Sequence, residues 1–303
     1  MNAIGRFAHR LDRCPSVVWL VLFGMAMWPH GLWMARRMLD GSDDPLGIVA
    51  LAALAFVGWR HRGHLRRAPR PTWFCGALAL MALAGAAWNT LPPLFATLLA
   101  LLGFAAGMLS LLPGGAACAS APASAPVLGL AALSLPLMAS LQFYAGYPLR
   151  LVAAELSRWL LLPVHHVERD GIALWVDGQL ILVDAACSGV QLVWLGYFTA
   201  CATALLSGCH NARFLRRLPV VGALVLAGNV LRNAALVALQ ADGQAAAAWL
   251  HEGIGLVTLA AVCALVFRLM VVRAAEAAPT PTSTPIPIPI PIPIPTSTRE
   301  ALA

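Results

Sequence analysis

The sequence predicts an all-α membrane protein, a polytopic bundle of about eight transmembrane helices with a small extracytoplasmic β-hairpin. Three observations carry this expectation. The 303 residues are 60% hydrophobic and 11% charged, with a mean hydropathy of +0.78, well above a soluble domain. Apolar runs recur at about the 20 residues that cross a hydrocarbon core of ~30 Å. The basic residues are all Arg, and they cluster in short loops beside those runs.

Taken in order, the segments run over 16–36, 45–60, 72–88, 92–112, 126–146, 186–208, 217–240 and 249–272. The basic stretch "RFAHRLDR" precedes the first. No small-residue cleavage site follows it, so a retained helix is expected rather than a removed signal peptide. The loop "RHRGHLRRAPR", 60–70, and the stretch "CHNARFLRRL" should face the cytoplasm with both termini, while "DGSDD" and "ADGQAAAA" should face outward. The stretch 149–163 carries Arg150, Glu155 and Arg158 on an otherwise apolar helix and is expected to lie along the interface. Next, "GIALWV", Asp177-Gly178 and "QLILVDA" read as a hairpin with a two-residue turn. The polytopic domain is placed at 1–273. The Pro/Ile/Thr-rich segment 274–303 is expected to be a disordered cytoplasmic tail, because proline fixes φ and removes backbone donors.

The net charge of +7 sits in juxtamembrane loops, which argues for membrane orientation and against a nucleic-acid partner. The seven cysteines form no CxxC pair and no metal-ligand spacing, so neither a disulfide framework nor a metal or other cofactor is called for.

Cys187, in "VDAACSGVQL", is the cysteine expected at the outer border, where the hairpin enters the sixth run. A thiol there is either a small buried apolar group or a reactive one. Arg232 lies inside the seventh run: counted from Leu218, it stands about 21 Å from the inner end and roughly 9 Å below the outer face. An intramembrane Arg costs at least ~2.5 kcal/mol, so it needs a partner or a polar cavity; the other reading is a side chain snorkelling outward. Asn229 is on the same helical face. His251 opens the eighth run in "HEGIG", which differs from a zinc-protease HExxH because Gly255 takes the second histidine's place. Thiol, guanidinium and imidazole thus fall at one depth on three consecutive runs. Together they suit acyl transfer: the thiolate attacks, the imidazole moves protons, and the guanidinium stabilises the oxyanion.

The order "ACSGV" at 186–190, "NVLR" at 229–232 and "HEGIG" at 251–255 resembles the exosortase/archaeosortase family, over about 140–272. The resemblance implies a membrane-embedded cysteine protease or transpeptidase. Its substrates would be exported proteins with a C-terminal sorting signal: a short motif such as PEP, a spanning helix and an Arg-rich end. Cys187 takes the nucleophile's place, with Arg232 and His251 as the other catalytic residues, and Asn229, Ser188 and Gln191 as candidate substrate contacts. The implied location is the inner membrane of exopolysaccharide-producing bacteria, with the site facing the periplasm. Two positions depart from the family pattern. Ala185 stands where Glu is usual, with Asp184 one place earlier, and Gln191 replaces a basic residue. The alternatives are a polytopic transporter, with Arg232 and Asn229 lining a polar path, and a non-catalytic scaffold for exopolysaccharide assembly.

Overall fold

The computed structural model describes residues 15–41, 43–114, 121–182, 189–241 and 248–271, all within one compact unit, Met1–Val272. Cys187, Ser188, Asp184, Ala185 and the 274–303 tail lie outside the described residues. The architecture is mostly helical. In chain order the α-helices are α1 (Ser16–Leu39), α2 (Leu46–Arg60), α3 (Pro71–Ala87), α4 (Pro93–Leu111), α5 (Ser124–Leu133) and α6 (Met138–Leu161). After the strands β1 (Val167–Asp170), β2 (Ala173–Val176) and β3 (Gln179–Leu182) come α7 (Val190–Leu206), α8 (Asn211–Ala241) and α9 (Ala248–Val271).

The expected count of eight spans is not what the helix lengths support. Among the described residues, four helices, α1, α4, α8 and α9, are long and apolar enough to cross a membrane, and a fifth span arises if the bent pair α5–α6 is taken as one. The helices α2, α3 and α7 have 15, 17 and 17 residues. At ~1.5 Å per residue they reach only about 22–26 Å, short of a ~30 Å core.

The 126–146 run is two helices rather than one, meeting at 94°. The break falls on "SLPL", 134–137, where Pro136 removes a backbone donor. Asp43 fixes the new direction. Its Oδ1 accepts from the Ala139 amide at 3.1 Å, capping the first turn of α6 from the α1–α2 connection. The amphipathic 149–163 stretch is therefore the second half of α6. One side of α6 buries Ala153, Ala154, Ser157 and Leu161, while Phe143, Tyr144 and Trp159 are exposed.

The expected hairpin is present as β2–β3, and β1 extends it to a three-stranded antiparallel sheet, β1-β2-β3. The Asp177-Gly178 turn is as expected, with φ +47 and +83, the left-handed pair that a two-residue turn demands. Val167, Leu174, Val176 and Ile181 point into a cluster with Ala154 and Leu161 of α6 and with Ala234, Leu236 and Val237 of α8. The sheet thus packs across the C-terminal end of α8.

Small residues bring α7, α8 and α9 together. Gly196 leaves no room for a Cβ beside Val225, and Gly228 none beside Val262. Trp194 is buried, stacks on Phe198 and donates its indole N–H to Leu133 O at 3.1 Å, tying α7 to the end of α5.

Charge divides the two ends of the bundle. Arg60, Arg62, Arg66, Arg67 and Arg70 occupy the end where α2 finishes. Backbone bonds from Arg66 to Leu111 and from Arg70 to Ser110 join that loop to the end of α4. The start of α8 belongs to the same end, where Asn211 bonds Ser124 and Ala125 of α5. Every acidic residue among the described ones lies at the opposite end.

Candidate functional site

At the acidic end, the last third of α8 and the first turn of α9 lie side by side, with the sheet packed beside them. Arg232 sits nine residues before the end of α8, about 14 Å along the axis. It is half-buried, and its Nη2–H donates to Nε2 of His251 at 3.4 Å. Guanidinium cannot accept, so this bond requires His251 Nε2 to offer its lone pair and places the ring proton on Nδ1.

Gly255 lies against the guanidinium. It follows His251 by four residues, on the same face of α9. A Cβ at Gly255 would lie 3.4–3.6 Å from the Nε, Nη2 and Cζ of Arg232. A methyl group would only touch the guanidinium; a longer side chain would displace it. The glycine that breaks a zinc-binding pattern is the surface on which the arginine lies.

Asn229 is 3% exposed and sits one helical turn before Arg232. Its amide packs on Gly189, the residue that precedes α7. Gly189 has φ +79, and a Cβ there would come within 2.6–2.8 Å of the Asn229 amide atoms. Gly189 therefore meets two demands at once, a left-handed backbone and direct contact with Asn229. Chain geometry links this contact to the Arg–His pair, because Asn229 and Arg232 share a face of α8.

The helix α6 braces the same region. Ser157 Oγ donates to Val230 O at 3.3 Å, between the two polar residues of α8. Glu155 joins α6 to the sheet: Oε2 accepts from Arg169 Nε at 2.7 Å, while Oε1 accepts from Arg158 at 2.7 Å and from the Trp159 indole at 2.8 Å. The side chains of Glu155 and Arg169 are only 33% and 31% exposed. The sheet turn is clipped from the other side. Asp177 accepts from His165 Nδ1 at 2.7 Å and from the His166 amide at 2.9 Å, and the His165 bond first, then the amide, holds its carboxyl below the usual range. His165 and His166 are thus part of the turn, with His166 also 3.4 Å from Glu168.

The structure therefore brings together Arg232, His251 and Asn229 from the expected set. Gln191, in the first turn of α7, is exposed; Cys187 and Ser188 lie outside the described residues. The cysteines among the described residues are elsewhere. Cys201 and Cys209 are buried, Cys75 is exposed, and Cys263, at 3.5 Å from Thr199 Oγ1, lies about 12 Å along α9 from Gly255. Gly189, Glu155 and Ser157 were not singled out from sequence as parts of the site. The first carried a signal, being the glycine of "CSGV" just before a helix; the other two carried none beyond lying on an amphipathic helix.

A family model described as transmembrane exosortase matches residues 33–268. No curated protein and no solved structure matches the chain.

Proposed function

The chain belongs to the transmembrane exosortase family, and from that premise we propose that it is a membrane-embedded thiol peptidase or transpeptidase that cleaves C-terminal sorting signals from exported proteins. The observation that carries the proposal is the seating of Gly189 on Asn229, one turn from the hydrogen-bonded Arg232–His251 pair. Cys187 precedes Gly189 by two residues, a length of chain that spans at most about 7 Å. The proposal sets the sulfur on that tether beside the two polar side chains.

The chemistry follows from the groups. The Cys187 thiol gives up its proton, with His251 as the base, and a neighbouring guanidinium favours the thiolate. In the Arg-bonded state His251 offers Nε2 to Arg232, so proton transfer to that nitrogen requires the Arg232 bond to be exchanged for one to the thiol. The thiolate attacks the scissile carbonyl, and Arg232 stabilises the oxyanion of the tetrahedral adduct. His251 then returns the proton to the departing amine, which leaves with the C-terminal helix, and the rest of the substrate stays as a thioester. Water or an acceptor amine resolves the thioester and regenerates the thiol. No metal or other cofactor takes part in this scheme.

A border position suits this task, because the scissile bond lies just outside a membrane-embedded signal. The arginine excess of the 60–70 loop puts that end, and both termini, in the cytoplasm of the inner membrane, with Arg232 and His251 on the periplasmic side. The partners are the lipid bilayer and exported proteins ending in motif, helix and Arg-rich tip.

The test is co-expression with such a substrate. Cys187→Ala and Cys187→Ser should abolish processing while the protein still inserts. Normal processing by Cys187→Ala would remove the nucleophile from the scheme and favour a scaffold.

A further inference from the structure

At the basic end, far from Arg232, the helices α2 and α7 diverge on either side of α5 and leave a groove of about 360 Å³. Its walls are apolar: Ala52, Ala53 and Phe56 of α2 face Phe198, Ala202 and Leu205 of α7. Leu130 of α5 is fully buried beneath. The mouth is different in kind, because the groove ends on Arg60 and His61.

Length and charge together define what fits. On α2 the groove runs from Val49 to Arg60, about 16 Å at the rise of an α-helix. One leaflet contributes about 15 Å of a ~30 Å hydrocarbon core. The apolar trough is therefore as deep as the acyl region of a single leaflet, and its cationic mouth falls where a headgroup lies. Trp59 marks that level. It is 60% exposed, and the Arg62 guanidinium stacks 4.6 Å from its ring, the pairing of aromatic and basic side chains found at membrane–water boundaries. His61 donates its Nδ1–H to Val57 O at 2.9 Å, which pins the imidazole against the last turn of α2.

One effect opposes an anion here. The C-terminus of α2 carries a partial negative charge of about half a unit. Five arginines in the 60–70 loop, with no acidic residue among the described ones at this end, outweigh it.

We propose that this groove is a binding site for one anionic phospholipid of the same leaflet, with an acyl chain between α2 and α7 and its phosphate on Arg60 and His61. The site is independent of the thiol chemistry and lies at the other end of the bundle. It gives the short helices α2 and α7, which do not span the core by themselves, a lipid partner of fixed position.

The experiment uses the full chain purified in a neutral detergent and titrated separately with phosphatidylglycerol and phosphatidylcholine. Native mass spectrometry counts retained lipids, and thermal unfolding reads stabilisation. The wild type should retain one phosphatidylglycerol in preference to phosphatidylcholine by on the order of tenfold or more, and only the anionic lipid should raise the unfolding temperature. Arg60→Gln, an exposed substitution, should remove the preference while leaving weak, unselective binding. Ala52→Trp, which fills the groove from an exposed position, should remove binding of either lipid at this site. Equal retention of both lipids by the wild type, unchanged selectivity in Arg60→Gln, or undiminished retention by Ala52→Trp would each overturn the proposal. So would a polypeptide, rather than a lipid, found on the purified chain and displaced by Ala52→Trp.

Discussion

Arg232 on α8 and His251 on α9 share a hydrogen bond of 3.4 Å, with the guanidinium lying over Gly255 one turn further along α9. Neither helix alone positions this pair. It depends on the close approach of α8 and α9, which Gly228 permits beside Val262.

The guanidinium has a geometric task that an ammonium does not reproduce. Arg232→Lys keeps the charge but loses the planar fork that reaches both His251 and a developing oxyanion. Processing should fall by on the order of 10²-fold, the usual cost of removing an oxyanion donor, with unchanged thermal unfolding. Full activity would reduce Arg232 to a residue snorkelling toward water.

Gly255 allows a test that leaves every charged group in place. Gly255→Leu should push the guanidinium from its seat and lower turnover, whereas Gly255→Ala, whose methyl group only reaches contact distance, should be mild. Turnover with a co-expressed substrate distinguishes the two. Equal effects from Ala and Leu would show that the contact has no part in positioning Arg232.

Gly189→Ala should be severe for two reasons. The backbone stands at φ +79, and the new methyl would meet the Asn229 amide at 2.6–2.8 Å. Left-handed strain alone costs about 1–3 kcal/mol for a non-glycine residue. The expected outcome is a lowered unfolding temperature together with lost processing. Asn229→Ala should open the space and partly rescue the stability of Gly189→Ala.

The sheet turn should respond to acid in one direction. The folded Asp177 carboxyl, bonded to His165 and the His166 amide, holds its proton less readily than in the unfolded chain. Its contribution is therefore complete above the unfolded value of about 4 and is lost as pH falls through the lower folded value. Pulsed hydrogen exchange of the 167–182 segment should show protection dropping in that acidic window. Asp177→Asn, which suits the left-handed turn but carries no charge, should abolish that pH dependence.

The parts of this molecule differ in how plainly sequence announces them. Arg232 and His251 were legible as a pair because each is a polar residue at a fixed depth in an apolar run, and depth is countable at ~1.5 Å per residue. The Asp177-Gly178 turn was legible because few residue pairs accept two left-handed positions. The third strand was not: β1 reads "VERD", with Val167 its only buried residue, and no alternation reveals it. The break between α5 and α6 was hidden inside a continuous apolar run, since the cap that redirects α6 comes from Asp43, far away in the chain. The eight-span count is not confirmed by the helix lengths, for a related reason. Hydropathy reports that a segment is apolar, and an apolar helix of 15 or 17 residues can be buried among others without crossing a membrane by itself.

The central claim is that Cys187 forms a covalent bond to the substrate beside Arg232 and His251. Its most direct test is to quench the wild-type protein in acid during turnover of a tagged sorting-signal substrate and map the adduct by peptide mass spectrometry. The account predicts a hydroxylamine-sensitive acyl group on Cys187, carrying the substrate's newly formed C-terminus. An adduct on another residue, or continued cleavage with Cys187 replaced by Ala, would contradict it.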